Sequence, residues 1–382
     1  VNLRYYGHFL HRTGYGVAAR HLARALAGAG HRLHLRPLGQ PAIEPGELSE
    51  HFEDHGQEPD AVIVHTLPRD CHRVLEIENL HRGRGPKLVA YTTWEALTAP
   101  LEVVHPLYER FDQLWAPSRP CALAFASNGL HASAGDRSSA ERRTFVIPHG
   151  YERFLAGGDD QGYRGNRFYR FYWVGAWTAR KNPQGLIRAF AYAFTARDQV
   201  ELVLHSPGVS RDTFVAALAA CGLEQSELPA IRLSNVTLTD EEVARLHLEG
   251  DCFVSAARGE AWNLPAFDAL LAGRHVITQY GLGSDEFLID TTADLIDGWE
   301  SPAQVDVTMA HSEAGEVTVR TLGAQGLSAR SLWLEPNLSS LADAMRAAYE
   351  ARTRSITLDY DPASRFSYAA VEQQVLNVLE NS

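Results

Sequence analysis

Ala257-Arg258-Gly259-Glu260-Ala261-Trp262-Asn263-Leu264-Pro265-Ala266-Phe267-Asp268 sets two acids, Glu260 and Asp268, around a short polar loop. From Leu264 the run continues to Gly273 as a helix. Pro265 suits the first turn, where its missing N–H would be unsatisfied anyway, and Gly273 suits the end. Glu260 therefore precedes the helix N-terminus, and Asp268 lies about one turn inside it. The first N–H groups of a helix have no acceptor within it, so those near Asn263 and Leu264 form an anion site. The arrangement suits a ligand with an anionic middle and hydroxyls at both ends. An acid favouring the helix dipole beside a solvated Asp would leave the same residues, so the segment needs support from elsewhere in the chain.

That support begins with its neighbours. Cys252 to Ser255 and His275 to Thr278 read as strands on either side of it. Upstream, Phe168 to Val174 and Val200 to His205 are strands, and Pro183 to Phe194 is a helix. Thr239 to Leu248 is a helix in which Thr239 and Glu242 have the spacing of a capping box. The first part of the chain repeats the alternation. Ala61-Val62-Ile63-Val64, Lys87 to Tyr91, Gln113 to Ala116 and Thr144 to Ile147 are short apolar runs of the kind buried in parallel sheets. The helix opened by Gly14-Tyr15-Gly16 has its apolar stripe at 18, 22, 25 and 26, and His31 to Pro37 reads as a strand after it. Strands separated by helix-length segments imply βαβ units. The expected fold class is therefore α/β, with two Rossmann-like doubly wound parallel sheets. The Gly-rich polar stretch 155–166 reads as the linker. Ligands of such sheets bind beyond the C-terminal strand ends, here expected in a cleft between the halves.

Composition bounds what such a protein meets. The 382 residues carry a net charge of −12. Residues 1–150 hold 16 acids and 16 bases, so the whole deficit lies in the second part, which would repel nucleic acid and anionic lipid. The first part could still approach either one through Arg82/Arg84 or Arg142/Arg143, pairs whose plainer reading is solvated surface. No segment approaches the roughly 18 apolar residues of a membrane helix, so stable membrane insertion is not expected. No charged-then-apolar export pattern opens the sequence, and Val1 in place of Met suggests a trimmed start. Four scattered cysteines show no CxxC or zinc spacing and read as reduced core thiols. The expected location is cytoplasmic.

Two glycine loops carry the chemistry further. Thr13-Gly14-Tyr15-Gly16 opens a helix and lets the backbone approach a phosphate or sugar; it reads equally as a tight strand-to-helix turn. Gly175-Ala176-Trp177-Thr178-Ala179-Arg180-Lys181-Asn182-Pro183 joins a strand to a helix and adds two adjacent cations. The chain has two lysines, Lys87 and Lys181, against 33 arginines, so a lysine just before a helix start stands out. A compact ammonium is a good point-charge partner for a diphosphate, and an arginine adds forked bonds. With Glu260 and Asp268, the ligand these groups describe is a nucleotide-diphosphate sugar.

In this order the segments resemble a GT-B glycosyltransferase of the large retaining family four (GT4) group, over about residues 5 to 350. Gly14-Tyr15-Gly16 with His31 looks like the family's N-terminal glycine loop and helix end. Trp115-Ala116-Pro117-Ser118 and Val146-Ile147-Pro148-His149-Gly150 look like two of its first-domain motifs. Gly175 with Lys181 matches the donor loop, Glu260 to Asp268 the E-x7-E segment, and Gly273-Arg274-His275-Val276-Ile277 the strand that follows. The resemblance implies an acceptor-binding domain at 1–154, completed by a C-terminal helix in 366–382, and a nucleotide-sugar-binding domain at 167–365. It implies that Lys181, with Arg180, neutralises the donor diphosphate. Glu260 would bind the transferred sugar, Asp268 the ribose, and the Gly16 backbone the donor phosphate from the other domain.

Three departures bear on donor identity. Asp268 replaces the usual Glu. Ala176 stands where an Arg often follows the loop glycine, leaving Arg180 to substitute. Ala-Trp-Asn follows Glu260 where the family usually has Gly-aromatic-Gly.

On the acceptor side, Tyr91-Thr92-Thr93-Trp94-Glu95 resembles a family segment that makes Glu95 a candidate acceptor contact, against a helix N-terminal charge. His65 at a strand end, and His11 with His8 beside the first loop, are further candidates, each also readable as a structural histidine. The implied reaction transfers a hexose with retention by front-side displacement, the leaving diphosphate helping to deprotonate the acceptor. No cofactor and no metal are expected, and catalysis rests on placement and charge. The expected partners are a nucleotide sugar, UDP-linked before GDP-linked, and a hydroxyl acceptor, a glycan or glycoconjugate first. A hydroxymethylated nucleic-acid base as acceptor, a sugar-nucleotide epimerase and a non-catalytic sugar-nucleotide-binding protein are the alternatives. A phosphorylase would need a pyridoxal lysine, and two lysines leave little room for one. Trp299 to Arg320 fits no motif.

Overall fold

A computed structural model describes residues 1–54, 56–132, 143–152, 168–222, 227–303, 308–311, 317–320 and 331–380. The chain divides into two compact units, one built on Val1–Arg153 and Asp361–Ser382, the other on Phe154–Thr321 and Leu332–Tyr360. The stretch 155–166, read as the linker, lies outside the described residues.

The first unit runs β1 (Asn2–Gly7), α1 (Gly14–Gly28), β2 (Arg32–Pro37), a 3-10 turn (Gly46–Phe52), β3 (Ala61–His65), α2 (Pro68–Ile77), β4 (Lys87–Tyr91), α3 (Leu101–Arg110), β5 (Gln113–Ala116), α4 (Arg119–Ala132) and β6 (Thr144–Val146). Its six strands lie parallel in the order β2-β1-β3-β4-β5-β6. The run Ala61 to His65 is buried throughout, as expected of an interior parallel strand with both faces covered. The order reverses between β1 and β3, so the loops leaving these two strands meet at one sheet edge.

The second unit runs β7 (Tyr169–Val174), α5 (Pro183–Ala193), β8 (Val200–His205), α6 (Arg211–Ala219), β9 (Ala230–Ser234), α7 (Asp240–Glu249), β10 (Cys252–Val254), α8 (Leu264–Leu271), β11 (His275–Gln279), α9 (Asp285–Leu288) and β12 (Asp294–Ile296). The sheet order is β12-β11-β10-β7-β8-β9, again all parallel. Here the reversal falls between β7 and β10. Thr239 caps α7 with both capping-box bonds, its hydroxyl accepting from Glu242 N at 3.2 Å and Glu242 accepting from Thr239 N at 2.8 Å. Among its described residues, the region from Trp299 that matched no motif forms strands. β13 (Gly298–Pro302) pairs antiparallel with β16 (Leu332–Pro336), and β14 (Thr308–His311) with β15 (Val317–Arg320). α10 (Leu338–Ala351) then packs on α5 and holds Arg346 across the Phe194 ring at 4.5 Å.

The closing helices, α11 (Pro362–Phe366) and α12 (Tyr368–Glu380), belong to the first unit. Val371 and Val375 of α12 enter its core beside Tyr5, Leu22, Ile63 and Trp115. Lys87 Nζ donates to Leu379 O (2.6 Å) and Gln113 Nε2 to Val378 O (2.9 Å), taking carbonyls from the last turn of α12 that have no intrahelical donor. Lys87, the other lysine, is thus a helix C-cap. Among the described residues no helix is long and apolar enough to cross a membrane.

Candidate functional site

In the second unit the site grows from the loops that leave β7 and β10, the two strands at the order reversal. After β7, Gly175 N donates to His205 O at 3.0 Å, and a Cβ at Gly175 would lie 2.7 Å from the Trp173 ring. The loop then closes in a turn, with Asn182 N on Thr178 O (3.0 Å) and Lys181 N on Thr178 Oγ1 (3.3 Å). Asn182 takes the left-handed conformation (φ 52°, ψ 48°) and caps α5 by accepting from Gly185 N at 3.1 Å. Asn tolerates that region better than most residues, which fits a sharp entry into a Pro-led helix.

The loop after β10 is tied to this turn. Arg258 N donates to Arg180 O at 2.7 Å, and its guanidinium donates to Ala179 O while gripping both Glu335 oxygens (2.6 and 2.9 Å). Gly283 N donates to Glu260 O at 2.8 Å. A Cβ at Gly283 would lie 2.1 Å from the Ala261 carbonyl, so only glycine lets this segment come so close. Trp262 is buried, its ring 5.1 Å from Phe267 and 4.9 Å from Phe287, and so anchors the loop.

The two cations and the first acid meet. Lys181 Nζ lies 2.5 Å from Glu260 Oε1, and an Arg180 guanidinium nitrogen lies 3.2 Å from Oε2 and 2.7 Å from Gly259 O. Glu260 is 7 % exposed. The two cations expected at the phosphate and the acid expected at the sugar thus form one cluster, with both cations on the acid. A buried carboxylate needs such partners, since one left alone loses its hydration uncompensated. The cluster carries one net positive charge, and two chain segments distant in sequence hold it.

The remaining donor-side residues lie around α8. Asn263 is left-handed (φ 73°, ψ 67°) at its N-cap, makes no side-chain cap bond, and keeps its buried Nδ2 without a partner among the described residues. Leu264 opens the helix. Asp268 stands apart from the cations. Its carboxylate, 43 % exposed, faces His247 Nε2 at 3.9 Å. Apolar surroundings first, then the charge of Asp240, push its pKa up to about 7, although the open side leaves solvent to screen part of that effect.

In the first unit, Gly14 opens α1, and Thr13 caps it by accepting from Gly16 N at 3.3 Å. A Cβ at Gly16 would lie 2.1 Å from His11 O and 2.8 Å from His8 O, so packing of the turn by itself demands this glycine. Arg20, unremarked in the sequence, braces the same turn by donating to Phe9 O (3.0 Å) and His11 O (2.6 Å). Tyr15 shares a hydrogen bond with Thr93 Oγ1 at 2.7 Å, and its phenol pKa is raised by burial and by the charge of Glu95.

Glu95 itself lies in the loop between β4 and α3; no helix starts there, which removes the helix N-terminal reading of its charge. His65 is buried, its Nδ1 2.7 Å from the Tyr5 hydroxyl and its ring stacked on Tyr91 at 4.2 Å. Burial, with His149 and His8 nearby, holds its pKa well below the usual value, so it stays neutral. His11 sets its ring edge-on to His8 at 5.4 Å. The fold therefore gathers His8, His11, Tyr15 and His65 at one sheet edge, with Thr66 bonded to His8 (2.9 Å).

No protein-family model matches the chain, and no curated protein matches it by sequence. Solved structures do match. Two parallel α/β sheets in one chain, aligned over the full length of glycosyltransferase structures, define the GT-B fold. Sucrose-phosphate synthase from Thermosynechococcus elongatus aligns with 100 % of this chain and 99 % of its own at 14 % identity, with a TM-score of 0.64. HepE from Anabaena, solved with UDP and glucose, aligns over 100 % of both chains at 14 % identity and a TM-score of 0.63. TarM from S. aureus aligns with 84 % of this chain, which covers 55 % of TarM, at 11 % identity and a TM-score of 0.53.

Proposed function

We propose that the chain is a retaining glycosyltransferase of the GT4 type, moving a hexose from a nucleotide-diphosphate sugar to a hydroxyl acceptor. The carrying observation is the convergence of Arg180 and Lys181 on the buried Glu260, just before the N-terminus of α8. A donor diphosphate brings two negative charges to that cluster. The ammonium and guanidinium then have a stronger partner, and the Glu260 carboxylate is left to accept hydroxyls of the transferred sugar. Leaving-group charge is met by Lys181, Arg180 and the N–H groups at Asn263 and Leu264, so the reaction needs neither metal nor cofactor. Asp268 accepts from the ribose. UDP is the favoured nucleotide, in keeping with the UDP bound to HepE, and GDP is the second choice. The acceptor, a glycan or glycoconjugate, would use the His11, His65 and Glu95 side of the first unit.

Thermal-shift screening against UDP-, GDP- and ADP-sugars, followed by mass spectrometry of products with the hit, tests the proposal. Stabilisation by a UDP-sugar and mass transfer to an added acceptor are expected. Isomerised donor without acceptor would mean an epimerase, binding without transfer or hydrolysis a non-catalytic binder, and no binding at all would refute the reading.

A further inference from the structure

Asp268 is short for a ribose acceptor, and its neighbour across the α7–α8 contact is a histidine. His247 of α7 is 1 % exposed, with its ring edge-on to Tyr172 at 5.4 Å. Its Nδ1 lies 3.0 Å from the Tyr172 hydroxyl. Its Nε2 is buried, has no hydrogen-bond partner among the described residues, and points across 3.9 Å to Asp268 Oδ2. Burial lowers the His247 pKa to about 3, so the ring is neutral and carries one N–H. Tyr172 keeps its proton, its pKa raised by burial.

Two tautomers are then open. With the proton on Nδ1, a bare Nε2 lone pair would face a carboxylate, and the two would repel. With Tyr172 donating to Nδ1, the proton sits on Nε2 and faces Asp268. The second arrangement gives Nδ1 its partner and turns the Nε2 N–H towards the carboxylate. Tyr172 is held in place for it: a Cβ at Gly250 would lie 2.1 Å from the Tyr172 ring, so the chain closes directly over that ring only because residue 250 is glycine. The other charges that face the trio are Asp240, which repels Asp268, and Arg274, which acts on Tyr172. His247 is thus the donor at hand for the Asp268 carboxylate.

We propose that His247 is a positioning residue for Asp268, its tautomer fixed by Tyr172, and that this trio makes the site selective for nucleotides bearing ribose hydroxyls. The inference rests on the reading of Asp268 as the ribose acceptor. At 3.9 Å the imidazole N–H is just beyond hydrogen-bond range. A small turn of the aspartate brings one oxygen onto it and leaves the other for the ribose diol. The buried imidazole supplies, from behind, the fixing that the missing methylene of a glutamate would otherwise give by reach.

Calorimetric binding of UDP and of 2′,3′-dideoxy-UDP to the full chain tests this, in wild type and in His247→Leu. Wild type should prefer UDP. His247→Leu should weaken UDP about tenfold, as loss of a hydrogen bond to a charged group does, and dideoxy-UDP by less than about twofold. Tyr172→Phe, which frees the tautomer without changing the core volume, should weaken UDP selectively and keeps the test open if His247→Leu fails to fold. His247→Gln, which keeps an amide N–H on that side, should recover most of the affinity. Equal losses for both nucleotides, or an unchanged UDP affinity in His247→Leu and Tyr172→Phe, would overturn the proposal. Wild-type protein that binds UDP no better than dideoxy-UDP would remove the ribose role of Asp268 and this inference with it. Wild-type protein that binds neither UDP nor GDP would instead refute the donor reading of the whole site.

Discussion

Lys181 and Glu260 define each other. Lys181 lies against the buried Glu260, and in the proposed function each acts on a different part of one ligand. Lys181→Ala leaves Arg180 on Glu260, so the fold should persist while turnover falls by about 100-fold or more, the usual cost of losing a preorganised charge partner of a leaving group. Glu260→Ala leaves two cations facing a diphosphate without their carboxylate; nucleotide binding should survive while sugar transfer falls by a similar factor. Product mass spectrometry alongside circular dichroism checks both, and near-normal turnover in either variant would sink the assignment.

Asp268 gives a pH-dependent signature at the same scale. Its folded pKa is raised towards about 7 from an unfolded value of 3.8. Between those values the folded state binds more protons than the unfolded one, so this group's contribution to stability falls as pH rises through the window and is level above it. In the proposed role of Asp268 as ribose acceptor, the ionised carboxylate is the stronger partner for the hydroxyls. Nucleotide affinity should therefore rise with pH up to about 7 and flatten there, and Asp268→Asn should abolish that slope in a calorimetric series.

At the scale of elements, the strands and helices that position these residues were legible because each carries a local signal. Thr239 with Glu242 marks the start of α7, Pro265 and Gly273 bracket α8, and Ala61 to Val64 is apolar without interruption. What holds the loops carries no such signal. Gly283 lies outside every motif, yet its missing Cβ is what lets the chain press on the Ala261 carbonyl. Arg258 and Glu335 are unremarkable charges whose pairing fixes the turn that presents Arg180 and Lys181. Gly283→Ala should cost about 1–3 kcal/mol by overpacking and displace Glu260, seen as a lowered melting temperature together with weaker donor binding. At an exposed position away from the ligand, Thr239→Ala should cost about 1 kcal/mol through the lost cap and leave donor binding unchanged.

At the scale of the whole molecule, two units with separate cores should respond separately. Val375→Asp puts a charge into the core that α12 shares with Tyr5 and Ile63, and should unfold the first unit. Donor thermal shifts in the second unit should persist, and differential scanning calorimetry would show one transition lost and one kept. A single transition lost as a whole would mean that the units do not fold independently.

Taken alone, the sequence determined the α/β alternation, the two glycine loops, the rarity of lysine that singles out Lys181, and the pair of acids around α8. These follow from spacing and residue type, which are local. Tertiary structure decided the rest through strand order. In the second unit β7 neighbours β10, although 77 residues separate the ends of the two strands, Val174 and Cys252, along the chain. That single adjacency brings the loop of Arg180 and Lys181 onto the loop of Glu260. It also sets Tyr172 of β7 behind His247 and Asp268, a grouping for which no stretch of sequence holds any sign. Parallel strands are joined by crossovers, and hydrogen bonding between them is indifferent to their order, so which loops meet at a sheet edge is settled only when the whole sheet packs.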